Sequence, residues 1–169
     1  MESRNLWAPW RIGYIQGLEI SSDCFFCHNL QNPQDDEKNL VLWRTHQSIV
    51  VLNRFPYNNG HLLIAPNRHI GSLDEANDAE LLELVKLVAR TQKALTLAIK
   101  PHGFNIGINF GRCAGAGLPG HLHIHVVPRW DGDTNFMSVC SDTKVISQSL
   151  AELLEQLKKV SKDHNLPNL

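Results

Sequence analysis

Three histidines alternate with apolar residues in Gly120-His121-Leu122-His123-Ile124-His125-Val126-Val127. No other stretch restricts this chain as tightly. Period-two alternation is a strand pattern, because successive side chains of an extended chain leave on opposite faces. A strand over His121 to Val127 therefore directs Leu122, Ile124 and Val126 into a core and collects His121, His123 and His125 on the other face. A rise of about 3.3 Å per residue sets neighbouring histidines about 6–7 Å apart. Such a row suits three roles. It can bind a metal, since His is the commonest metal ligand. It can do nucleophilic chemistry, with one neutral imidazole attacking and a neighbour donating a proton or hydrogen bond. It can also be a solvated polar face, although such faces usually mix Thr, Lys and Glu.

The rest of the chain supplies a sheet around that strand. Leu40 to Arg44 and Ser48 to Asn53 are short and β-rich, joined by Thr45-His46-Gln47 as a hairpin. His61 to Pro66 is a third strand after the turn cluster Pro56 to Asn59, and Phe104 to Phe110 is a fourth. Asn77 followed by Glu80 reads as a helix start with a capping carboxylate three residues on. Leu81, Leu82, Leu84, Val85, Val88, Leu95 and Ile99 continue it at helical spacing until Pro101; this stripe is core or an interface between copies. Val145 to Lys159 is a second amphipathic helix, and Gln31 to Asn39 is a loop. Hairpin-length links favour an antiparallel sheet, so the class is α+β. No linker or repeat divides the 169 residues, which read as one domain. Within it, 1–23 is an arm carrying the Leu6-Trp7-Ala8-Pro9-Trp10-Arg11 aromatic clip, 24–137 the core and 138–169 a C-terminal helical segment.

Sixteen basic against seventeen acidic side chains argue against a dominant nucleic-acid surface. The apolar runs are too short to span a bilayer. Met1-Glu2-Ser3-Arg4 lacks the apolar core of an export signal, so a reducing cytoplasm is expected. There Cys24-x-x-Cys27 reads as half of a zinc site or as a redox pair, or else as two plain thiols beside Phe25 and Phe26. Cys113 and Cys140 have no pattern and are expected to be small buried hydrophobes.

His121-Leu122-His123-Ile124-His125-Val126-Val127 resembles the signature of the histidine triad (HIT) superfamily of nucleotide hydrolases and transferases. Asn53-Arg54-x-Pro56, Gly60-His61-x-x-Ile64-x-Pro66 and the Gly111–Gly120 loop are similar to the family in the same order. Leu6-Trp7-Ala8-Pro9-Trp10-Arg11 and Pro128-Arg129-Trp130-x-Gly132-Asp133-x-Asn135-Phe136 resemble the branch with diadenosine polyphosphate phosphorylases and hydrolases. The resemblance implies a five-stranded antiparallel sheet with one long helix and a C-terminal helix, pairing into a homodimer. It implies that His123 is the nucleophile at the α-phosphorus, that His125 assists the leaving group, and that His61 orients their surroundings. Asn53 would contact the ribose. Asn109 and Trp130 are candidate nucleotide contacts, and Arg129 is either a phosphate contact or a solvated side chain. Main-chain N–H groups of the loop around Gly117 would stabilise phosphate charge.

One departure concerns that loop. Many members carry Gln and then Ser or Thr four and three residues before the first histidine, where this chain has Gly117 and Leu118. The side-chain phosphate donor is missing, which leaves the acceptor, water or phosphate, open. Some relatives with an N-terminal Cys-x-x-Cys use the first triad histidine as a zinc ligand. The expected structural zinc site is thus Cys24, Cys27, His121 and His69, with His28 as the alternative to His69. No organic cofactor is expected.

The expected activity is cleavage of adenine dinucleoside polyphosphates at the α-phosphate through a nucleotidyl-histidine. The alternatives are hydrolysis of a nucleoside phosphoramidate or adenylate, a metallohydrolase built on the three histidines, and a nucleotide-binding module without turnover.

Overall fold

A computed structural model describes residues 24–133 and 145–169. The aromatic clip at Leu6–Arg11, and Asn135, Phe136 and Cys140, lie outside the described residues.

The described chain runs α1 (Phe25–Gln31), β1 (Val41–Arg44), β2 (Ser48–Leu52), β3 (Leu62–Pro66), α2 (Asp78–Ile99), β4 (Gly103–Ile108), β5 (Ile124–Arg129) and α3 (Leu150–Asp163), with three short 3-10 turns. The five strands form one sheet in the order β1-β2-β3-β5-β4. Every neighbouring pair is antiparallel, so the expected α+β class and five-stranded antiparallel sheet hold.

Each face of the sheet has its own cover. Val50, Leu52, Leu62, Ile64, Leu122, Ile124 and Val126 pack with Leu84, Leu87 and Leu95 of α2 and Leu153, Leu154 and Leu157 of α3. Val41, Ile49, Val51, Leu63 and Ala65 pack against Cys24 and Phe26 at the start of α1. The alternation predicted for residues 121–126 is thus realised, with Leu122, Ile124 and Val126 in the larger core. The ladder itself starts later than expected, at Ile124 rather than His121. Leu122 N–H donates to Ile70 O at 2.6 Å, so the chain has left β3 before the first two histidines.

Capping chemistry fixes both longer helices. Asn77 and Glu80 form a reciprocal capping box at the start of α2, as the spacing predicts, and Lys100 ends the helix in a left-handed conformation before Pro101. The C-terminal helix starts at Leu150 instead of Val145 because Ser149 and Glu152 form its capping box, and it continues to Asp163. Leu82 and Val85, expected in the apolar stripe, are 57% and 67% exposed; the core-facing row is Leu84, Leu87, Ala94 and Leu95. Residues 25–31, which the sequence left without an element, form α1, capped by the Cys24 side chain. Pro33–Asp35, expected in a loop, forms a 3-10 turn. No described helix is long and apolar enough to cross a membrane.

Candidate active site and metal cluster

His125 lies on β5 opposite Leu63 of β3 and Gly107 of β4, on the face that α1 covers only in part. His121 and His123 precede the strand and are buried, at 1% and 6% exposure. The imidazoles of His123 and His125 have centroids 4.9 Å apart. Phe26, fully buried on α1, lays its ring 5.0 Å from His121 and 5.5 Å from His123.

Hydrogen-bond partners that can only donate or only accept settle which nitrogen of each ring holds the proton. His123 Nδ1 lies 2.8 Å from His121 O. A carbonyl only accepts, so Nδ1 carries the proton and Nε2 keeps its lone pair. His61 Nδ1 receives Tyr57 N–H at 3.1 Å and faces the Asn53 amide nitrogen at 3.1 Å. Its proton therefore sits on Nε2, which donates to His125 Nδ1 at 2.9 Å. That places the His125 proton on Nε2, an atom that is buried and has no hydrogen-bond partner among the described residues. The cluster thus presents a nucleophilic nitrogen on His123 and an unspent donor on the neighbouring ring.

The turn before β3 holds His61 in place. Asn53 N–H donates to His61 O at 2.8 Å, and Asn58 donates its side-chain amide to Pro128 O at 2.9 Å. Gly60 has φ +79°, and a Cβ there would meet Ile99 Cδ1 at 2.7 Å. Only glycine lets the turn sit this close to α2 in that conformation.

Burial first, and then the neighbouring imidazoles, push the His61 pKa down to about 3 and that of His125 down to about 4. The folded protein therefore keeps both rings neutral where an unfolded chain, titrating near 6.5, binds protons. The unfolded state gains protons as pH falls below about 6.5, so stability declines with it until the folded pKa values are reached. Between pH 6.5 and 5 His61 alone contributes a loss of about 2 kcal/mol. The melting temperature should drop by about 4–8 °C over that interval. His61→Gln should flatten the slope; an unchanged slope would contradict a buried neutral His61.

A second cluster adjoins the first. Ligand atoms of Cys24, Cys27, His69 and His121 all lie within 4.8 Å of one another, a group able to hold a metal ion. Cys24 Sγ is 3.0 Å from His121 Nδ1, and Cys27 Sγ is 3.2 Å from His69 Nδ1. His121 Nε2 donates to Pro66 O at 2.8 Å, which leaves Nδ1 as the free lone pair facing the sulfurs. Burial pushes the Cys24 thiol up to about 11, a cost that a cation among the four side chains would offset. Arg68, next to His69, is clamped at 2.7 Å by both oxygens of Glu80. The same carboxylate closes the α2 capping box, so the helix start anchors the His69 segment. His28 is exposed and faces Asn32 on its own helix, apart from the cluster.

The remaining candidates divide. Asn53 is occupied with His61 and with Phe55 N–H, so its amide serves the histidine cluster. Asn109 reaches back to Gly115 O at 3.5 Å, within the loop that carries the exposed Gly117. Trp130 is not brought to the histidines. Its indole donates to Lys100 O at 3.2 Å, and it lies five residues along an extended chain from His125, about 16 Å. Arg129 is engaged in its own contacts: it holds Asp133 with two nitrogens and Asn105 with a third. Cys113, expected to be buried, is exposed on the 3-10 turn Arg112–Ala114. Sequence reasoning missed Phe26 and Tyr57, whose ring centroid lies 4.6 Å from that of His61. An aromatic directly beside each motif was the available signal.

Comparison with known proteins gives concordant results. The family model described as "HIT domain" matches residues 34–132. A protein of Mycobacterium tuberculosis named "AP-4-A phosphorylase" is 37% identical over 155 residues, covering 88% of this chain and 80% of the relative. A Schizosaccharomyces pombe protein named "Bis(5'-nucleosyl)-tetraphosphatase [asymmetrical]" is 33% identical over 55% of this chain and 50% of its own length. Among solved structures, a Zn-bound histidine triad family protein from Mycobacterium smegmatis superposes with a TM-score of 0.69 at 23% identity. That match covers 85% of this chain and 96% of the other, and shares the fold.

Proposed function

Since this chain belongs to the HIT domain family, we propose that it cleaves dinucleoside polyphosphates at the α-phosphorus through a nucleotidyl-His123 intermediate. The observation that carries the reading is the pair of tautomers: an attacking Nε2 on His123 and an unpartnered Nε2–H on His125. His123 Nε2 forms a bond to the α-phosphorus as the bond to the bridging oxygen breaks. The polyphosphate departs with that electron pair. Its terminal phosphate is a weak base, with a second pKa near 6, so a hydrogen bond from His125 suffices and no full proton transfer is needed. His61 and Asn53 keep His125 in the donating tautomer. The adduct on His123 carries Nδ1–H toward the His121 carbonyl, which stabilises its positive charge. In the second half an acceptor oxygen attacks phosphorus, the N–P bond breaks and His123 regains its lone pair. Water yields a nucleoside monophosphate and releases a proton; inorganic phosphate yields a nucleoside diphosphate.

The names of two relatives, a phosphorylase and a tetraphosphatase, support a dinucleoside tetraphosphate as substrate. Asn109 and the Gly117 loop line the approach from the acceptor side in this reading, with loop N–H groups meeting the phosphate oxygens. Trp130 has no role in it within one copy of the chain. The single-domain reading over 1–169 and a homodimer belong to the proposal. β4 is an edge strand with Ile106 43% exposed, and edge pairing between copies would cover it.

The proposal also assigns zinc to Cys24, Cys27, His69 and His121. Tetrahedral zinc with bonds of about 2.3 Å to sulfur and about 2.0–2.1 Å to nitrogen sets sulfur and nitrogen about 3.6 Å apart. Three of the four sulfur–nitrogen separations here are 3.0, 3.2 and 3.7 Å, and the fourth is within 4.8 Å. Four protein ligands close the shell, so the ion is structural and leaves His123 and His125 to the chemistry. A reducing cytoplasm suits thiols that must remain unpaired.

Product analysis of diadenosine tetraphosphate turnover tests the function. ATP plus ADP formed only with inorganic phosphate identifies a phosphorylase, and ATP plus AMP without it identifies a hydrolase. No turnover under either condition removes the proposal in favour of phosphoramidate substrates or a binding module.

A further inference from the structure

Tyr57 is 54% exposed, yet its ring is not free. One side lies against the catalytic histidines, with centroids 4.6 Å from His61 and 5.7 Å from His125. The planes of Tyr57 and His125 are within 13° of parallel, a stacked arrangement. The backbone beneath is pinned, because Tyr57 N–H is spent on His61 Nδ1 and the next residue, Asn58, is tied to Pro128 and Asp133. A large aromatic is thus held still at the mouth of the site with more than half its surface in water. Packing alone gives no reason for that exposure. Polar residues fill such turns at lower cost.

Its position along the ring series gives the reason. The imidazoles of His123 and His125 adjoin, with centroids 4.9 Å apart, and Tyr57 stacks next to His125. In-line displacement by His123 sends the leaving group away from its Nε2, toward the His125 donor. Whatever is attached to the far end of the leaving polyphosphate emerges past His125, where Tyr57 offers an aromatic surface. We infer that Tyr57 is the stacking platform for the base of the departing nucleotide, and that it sets a preference for dinucleoside over mononucleoside polyphosphates. The inference rests on the function proposed above and goes beyond it by assigning the second nucleoside a site.

The test compares two substrates of equal phosphate length, diadenosine tetraphosphate and adenosine 5'-tetraphosphate, which lacks the second nucleoside. Base–aromatic stacking predicts that Tyr57→Ala loses roughly 5- to 150-fold in kcat/KM on the dinucleotide, mainly through KM. Turnover of adenosine tetraphosphate should change less than about threefold, and Tyr57→Phe and Tyr57→Trp should retain the dinucleotide preference. Equal losses on both substrates would mean that the ring only packs the histidines, and unchanged kinetics on both would mean that it does not meet the base; either overturns the inference. Wild-type protein inert toward both substrates would instead overturn the proposed function on which it rests.

Discussion

Replacing His123 by Ala is expected to lower kcat for diadenosine tetraphosphate by on the order of 10⁴-fold or more, with nucleotide affinity changed only a few-fold. The loss is large because the imidazole forms the covalent bond that divides the displacement into two easier steps. Affinity survives because a neutral imidazole whose Nδ1–H is spent on the His121 carbonyl contributes little ground-state charge to a phosphate. Turnover and calorimetric binding on the same preparation separate the two terms. Quenched reactions with labelled substrate should yield a nucleotidyl adduct on the wild type and none on His123→Ala. A metallohydrolase would behave otherwise, with turnover removed by chelation and restored by metal. A binding module would keep its affinity and have no turnover to lose.

The second large effect is expected from Cys24→Ser. The variant should lose its bound metal in elemental analysis and melt about 6–12 °C lower, the equivalent of about 3 kcal/mol in a chain of this size. Cys24 caps α1, and its neighbour Phe26 fills the space under His121 and His123. Loss of the proposed metal would remove one tie between that helix and the sheet and leave the packing of Phe26 as the other. His121 joins the two clusters directly, since its ring faces the sulfurs while its carbonyl holds His123 Nδ1–H. A metal-free variant should therefore also lose activity, although no ligand of the cluster touches the reacting phosphorus. Unchanged metal content in Cys24→Ser would refute the assignment.

Much of this site was legible because its signals are local. Alternation assigns faces on any extended chain, whichever strands flank it, so Leu122, Ile124 and Val126 were separable from the three histidines before any pairing was known. Asn77 and Glu80 sit one turn apart and satisfy each other's backbone groups, so the start of α2 needed no tertiary information. Helix faces were less legible. A stripe that includes Leu82 and Val85 is wider than the face of α2 that packs into the core, and sequence spacing does not say which edge of a stripe stays in water.

What the sequence alone determined is the inventory: three histidines alternating with core residues, a Cys-x-x-Cys pair, a histidine before β3 and a glycine-rich loop. What only the tertiary structure decided is how each group is bound to the next. His69 rather than His28 reaches the sulfurs because Arg68 and Glu80 anchor its segment against α2, 12 residues away in sequence from Arg68 to Glu80. Trp130 follows the triad closely in sequence yet turns to Lys100, because an extended chain moves about 3.3 Å with each residue. The proton positions on His61 and His125 descend from the Tyr57 amide, a backbone group that every non-proline residue carries and no motif records. Residue types fix which chemistry is available, but a neutral imidazole becomes acceptor or donor only through partners that the fold brings within hydrogen-bond reach.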